Sequence, residues 1–197
     1  MQDINLFDNN LTVIEFEKHA ANKQKMFDVV HDISMESVNA NNGHHTMVYQ
    51  TAPGLQINNA FQDLLNSENL KSFCERKTQE TILGRDKKFV CNSMWATMLP
   101  KYSQMSRHTV EGIYHGIYFL HSAPDSGMMT FYSRVEDSYF NKFGNTIKNE
   151  FNSNKQILNM PEGAIYLVPS YIDISTSTNM TDETTVCIQF ILDIAEK

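Results

Sequence analysis

The second half of the chain is a series of short β-type segments cut by turn residues, and this rhythm limits what the whole can become. Lys87 to Met98 (KKFVCNSMWATM) and Ile113 to Leu120 (IYHGIYFL) come first. The turn Pro124-Asp125-Ser126-Gly127 leads into Met128 to Tyr132. Gln156 to Leu158, Ala164 to Val168, Ile172 to Ser177 and Thr185 to Asp193 follow. Short β-branched and aromatic runs at such spacing predict a jelly roll or a sandwich, in which each strand finds a neighbour and buries a face. Regular alternation along the first of them would place Phe89, Cys91, Ser93 and Trp95 on one face.

The first half reads differently. Leu11 to Phe16 (LTVIEF) is a strand candidate, and Phe27, Val30, Ile33 and Met35 then recur at helical spacing, predicting a helix over Glu17 to Ser34. Asn39 to His45 is loop by composition. Phe61, Leu64, Leu65 and Leu70 predict one or two helices between Ile57 and Leu83, ending near Gly84. No repeat and no Pro- or Ser-rich linker divides the chain. The 197 residues, 41% of them hydrophobic, therefore read as a single domain of α+β class. Residues 1–86 supply an N-terminal strand, and helices that pack on one side, and residues 87–197 supply the jelly-roll core.

Charge and targeting signals exclude several partners. A formal net charge of −7, with lysines interleaved among acids, is unsuited to tracking a phosphate backbone, so nucleic acid is not expected. The start MQDINLFDNN has no basic segment followed by an apolar one, and no apolar run reaches the roughly 18 residues of a membrane span. Cys74, Cys91 and Cys187 are odd in number and lack metal-type spacing, so they read as reduced thiols. A cytoplasmic location without membrane contact is the expectation.

Several segments, in order, carry a resemblance. They are Trp95-Ala96-Thr97, His108, Gly116 to Leu120, Ala123-Pro124 to Phe131, Glu162 to Tyr171 and Asp182 to Phe190. Together they resemble the iron(II)/2-oxoglutarate-dependent oxygenases common in marine tailed phages and bacteria, over roughly Met94 to Asp193. That family carries a Trp-x-Asn stretch, a His-x-His or His-x-Asp element and a Ser-Gly-Val-Tyr-Tyr strand. A Gly-x-Leu-x-x-Phe-Pro-Ser-Trp-Leu-Pro-His run and an Arg-x-Ser-x-x-Phe strand complete it. The resemblance implies a double-stranded β-helix, the cupin-like form of the jelly roll.

It also implies a chemistry that needs four side chains. Such enzymes hold iron on two histidines and a carboxylate, or on three histidines, and pair the far carboxylate of 2-oxoglutarate with an arginine. His108 stands where the first ligand falls. Val110 stands at the second position, Ile174 at the distal histidine and Thr185 at the arginine. Losing even a supporting partner of a metal ligand lowers affinity by about 10–100-fold. Two absent ligands and an unpaired dicarboxylate leave no expected cofactor and no expected catalytic residue.

Neighbouring residues offer a possible rescue. Asp173 adjoins Ile174 but points to the other face of a strand. Glu111 and His115 could complete a His108/Glu111/His115 site only with a changed backbone. His44 and His45 read as solvated loop residues, and Met105, Met128 and Met129 as core filling. Tyr114, Tyr118 and Tyr166 either pack the core or line a vacated ligand pocket. The sequon at Asn179-Met180-Thr181 means little without secretion. The expected function is a non-catalytic binding or assembly protein, with protein partners that include virion components or its own copies. The alternative is an active oxygenase using iron, 2-oxoglutarate and non-standard ligands.

Overall fold

A computed structural model describes residues 2–6, 9–40, 48–80, 87–132 and 155–196 of the chain. Two antiparallel sheets form its centre. The larger is built from β1 (Gln2–Leu6), β2 (Asn9–Glu15), β3 (Tyr49–Gln50), β4 (Lys87–Leu99), β5 (Tyr114–His121), β8 (Ala164–Pro169) and β10 (Thr185–Glu196). Its order is β1-β2-β8-β5-β10-β4-β3. The smaller sheet, β7-β6-β9, contains β6 (Met128–Tyr132), β7 (Lys155–Asn159) and β9 (Asp173–Thr176). An isolated antiparallel bridge between His108 and Ile174 extends it by one more segment.

The larger sheet is covered on both faces, which explains its apolar runs. Helix α1 (His19–Ala40), α2 (Gln62–Leu65) and α3 (Glu68–Glu80) cover one side. There Phe16, Met26, Phe61, Leu64 and Phe73 pack with Tyr118, Ile188 and Phe190. On the opposite side Ile117, Phe119, Tyr166, Val168 and Cys187 meet Met129, Phe131 and Ile174 of the smaller sheet. Tyr118 and Leu120 thus face the helices while Ile117 and Phe119 face the barrel, so IYFL is buried throughout. By contrast β7 alternates exposed and half-buried residues, and Ile157 is 48% exposed.

Helix α1 docks through a stripe at i, i+4, i+8 and i+12, formed by buried Asn22, Met26, Val30 and Ser34. It runs past the predicted end at Ser34 to Ala40, so it includes Asn39. The rest of the expected Asn39–His45 loop, with His44 and His45, lies outside the described residues, as does the predicted helix end near Gly84. Two 3-10 turns, Leu55–Ile57 and Asn59–Phe61, precede α2 where a longer helix was expected. Asn58 explains the interruption: it is extended, and its side chain accepts a hydrogen bond from the Ala60 backbone N–H at 2.9 Å.

The N-terminal strand joins the larger sheet, where β2 pairs antiparallel with β8 through Thr12–Leu167 to Glu15–Ala164. One further expectation needs correction. In β4 the predicted common face of Phe89, Cys91, Ser93 and Trp95 is broken. Ile191 pairs with Ser93 but Leu192 pairs with Cys91, so Asn92 is an extra residue that inverts the alternation. Phe89, Cys91, Met94 and Ala96 consequently join the helix-side core, and Trp95 turns to the barrel side. Among the described residues no helix is long and apolar enough to cross a membrane.

Candidate functional site

The bulge at Asn92 is what aims Trp95 and Thr97 at the residues of interest. Trp95 stacks on His115, with ring centroids 6.1 Å apart and planes 22° from parallel. His115, on β5, is 1% exposed, and its Nε2–H donates to Gln189 Oε1 at 2.9 Å. Gln189, fully buried on β10, donates through Nε2 to Thr97 Oγ1 and to Met105 Sδ. Burial, and after it the nearby His108 ring, hold His115 down at about 3 against the raising effect of the Gln189 bond. Its imidazole is therefore neutral at physiological pH. Every polar atom of the Gln189 amide is engaged in filling the barrel interior.

His108 stands next to this group, its ring centroid 6.3 Å from that of His115. Backbone bonds of 3.0 and 2.9 Å to Ile174 fix its segment, and its Nδ1 lies 2.8 Å from the Ser106 carbonyl. The residue directly across the bridge, Ile174, is fully buried among Met105, Phe131 and Ile172. Val110 is half-buried, and Glu111 is exposed. Asp173 faces away from the barrel, paired through its Oδ2 with the Arg107 Nε at 2.7 Å, and Arg107 in turn lies over the Tyr132 ring. Thr185 opens β10, 1% exposed, with its hydroxyl unpartnered. It lies four residues from Gln189, about 13 Å along an extended strand.

A turn closes the neighbouring end. Gly112 has φ +137°, and a Cβ added there would fall 2.3 Å from Ile191 Cγ2, so its backbone rests directly on the strand partner of His115. These residues do not fit an iron centre of the facial-triad kind. His108 and His115 are brought together, but Val110, Ile174 and Thr185 contribute no metal donor or cationic partner. Among the described residues, no group of three His, Cys, Asp or Glu side chains is placed to hold a metal ion.

A second polar cluster escaped the sequence reading. His19 Nδ1 lies 2.6 Å from the buried Tyr118 hydroxyl, and its Nε2 lies 3.1 Å from Glu162 Oε1. Lys23 donates to the same oxygen at 2.7 Å, and His121 lies between Glu162 and Glu183 at 3.0 and 3.1 Å. Burial pushes the Glu162 carboxyl up, but hydrogen bonds from Lys23, His19 and His121 outweigh it and hold it at about 2. This cluster pins α1 to the end of β5. Its bonded partners are 41 to 143 residues apart, so no local pattern announces it. Gln189 did leave a signal, as the lone polar residue in VCIQFIL.

The tyrosines pack. Tyr118 and Tyr166 are core residues, and Tyr114 sits edge-on between Phe73 and Phe89. Met105 and Met129 are buried, whereas Met128 is 45% exposed. Asn179 is fully buried and donates to the Leu99 and Glu183 carbonyls, so the sequon serves the fold.

No protein-family model and no curated protein sequence matches this chain. Solved structures do resemble it. SnoN, a non-heme α-ketoglutarate-dependent epimerase of nogalamycin biosynthesis, superposes with a TM-score of 0.63 at 12% identity, over 96% of this chain and 81% of that one. A prolyl-4-hydroxylase of Pseudomonas putida gives 0.58 at 9% identity, over 95% and 89%. HygX of Streptomyces hygroscopicus, with nickel and 2-oxoglutarate bound, gives 0.54 at 10% identity, over 92% and 81%. At such identities the likeness concerns architecture, and function must be argued from the site. The chain folds as the double-stranded β-helix of the 2-oxoglutarate/iron(II) oxygenases, with helices on one side.

Proposed function

We propose that this chain is a non-catalytic binding or assembly protein on an oxygenase-type double-stranded β-helix. The observation that carries the reading is the filling of the barrel interior. Buried Ile174 faces His108, and the Gln189 amide saturates itself on His115, Thr97 and Met105. A dicarboxylate entering there would displace a satisfied network and meet Thr185 in place of the family's arginine, a loss of several kcal/mol by order of magnitude. A barrel kept rigid without a cofactor is suited to presenting surface. On the smaller sheet Met128 and Ile157 are 45% and 48% exposed, the kind of apolar contact that a protein partner or a second copy would cover. Placement in a tailed phage, in its virion or in the host cytoplasm during assembly, rests on the sequence resemblance.

One observation favours the alternative of an active oxygenase with non-standard ligands. His115 carries its proton on Nε2, which leaves Nδ1 as an acceptor near His108, and structural neighbours hold iron or nickel with 2-oxoglutarate. Metal analysis of protein purified with iron(II), together with succinate release from 2-oxoglutarate, separates the two. The proposal predicts substoichiometric metal and no succinate above a boiled control. One equivalent of iron with succinate turnover overturns it.

A further inference from the structure

Outside the barrel, a groove of about 750 Å³ runs between α3 and the paired ends of β4 and β10. Leu70, Phe89 and Leu192 form a buried apolar floor. Cys74 and Cys91 complete it, and burial pushes their thiols up to about 12 and about 11, so both are present as uncharged S–H groups. Lys71, Lys87 and Lys88 are exposed along the rim. None of the three has an ion pair among the described residues, whereas Lys18, Lys23, Lys77 and Lys101 each have a carboxylate partner. Among the described residues the rim carries one acid, Glu75, so there three cations face one anion in a chain whose net charge is −7.

We propose that this groove binds a small anionic amphiphile, with its apolar ring or chain on the floor and its carboxylate, sulfonate or phosphate among the three lysines. The volume lies within the usual small-molecule range of roughly 300–1,000 Å³. The floor supplies affinity by burying apolar surface, and the rim supplies the choice of charge. The groove lies outside the barrel, so its occupancy is independent of whether the barrel holds a metal.

A pair of fluorescent probes that differ in charge tests this. The first is 8-anilinonaphthalene-1-sulfonate, and the second is N-phenyl-1-naphthylamine, which has the same ring system without the sulfonate. The expected result is saturable one-to-one binding of both, with the sulfonate tighter. The triple variant Lys71→Glu/Lys87→Glu/Lys88→Glu, altered only at exposed positions, should weaken the sulfonate by about tenfold and change the neutral probe by less than about twofold. Cys74→Trp, which fills the floor, should abolish both. Equal weakening of the two probes by the triple variant, or an absence of saturable sulfonate binding to the wild type, overturns the proposal.

Discussion

Acid should unfold this protein in part through one histidine. His115 is 1% exposed, neutral, and held at about 3 against an ordinary value of 6.5. Between those values the unfolded chain takes up a proton that the folded chain refuses. The contribution is fully present above about pH 6.5 and is lost as the pH falls, at about 1.4 kcal/mol per pH unit. At pH 4.5, two units below the ordinary value, the loss from this group amounts to roughly 3 kcal/mol. Urea unfolding at pH 7.5 and 4.5 measures it, followed by the fluorescence of Trp95, the sole tryptophan and the ring stacked on His115. His115→Gln retains an amide donor toward Gln189 but cannot titrate. Contributions from Glu162, Asp3 and other acids are common to both chains and cancel in the difference. Wild type should lose about 2–3 kcal/mol more than His115→Gln over this interval. Equal losses in the two proteins would refute the picture of a neutral imidazole sealed into the barrel.

Other perturbations probe the packing. A Cβ at Gly116 would meet the Phe190 ring at 2.2 Å, so Gly116→Ala should destabilise by about 1–3 kcal/mol in thermal or urea unfolding. Asn179→Ala strands the buried Leu99 carbonyl and removes one of the bonds to the Glu183 carbonyl, and should lower stability by about 1–3 kcal/mol, measured in the same way. The Arg76–Asp3 pair, a third exposed on each side, ties β1 to α3, and Arg76→Ala should lower stability by less than about 1 kcal/mol in a double-mutant cycle with Asp3→Asn.

How much of this could be read from the chain follows from which interactions are local. The strands at Ile113–Leu120 and Thr185–Asp193 were legible because burial on both faces leaves an unbroken apolar run bounded by turns. Helix α1 was legible from its spacing, although its last six residues, beyond Ser34, were missed. The bulge at Asn92 left no pattern, and missing it turned Trp95 to the wrong side. Short β3 and the 3-10 turns before α2 depend on tertiary partners, since Tyr49 and Gln50 pair with Met98 and Thr97 far along the chain. In the site, the residue types at 108, 110, 174 and 185 could be read by resemblance. The His115–Gln189–Thr97 network could not, because its bonds span 74 and 92 residues. The His19–Glu162–His121 cluster was hidden for the same reason.

The proposed non-catalytic role requires that the barrel hold no divalent ion, since Val110 and Ile174 stand at the ligand positions without donors. Isothermal titration of nickel(II) in the presence of 2-oxoglutarate tests this directly on the wild type and on Val110→Asp/Ile174→His. His108 and Ile174 are bridge partners, so a histidine at 174 would stand beside His108 across the pair. The expected result is no stoichiometric binding to the wild type and one ion bound by the double variant. One equivalent bound by the wild type, and lost in His108→Ala, would contradict the account.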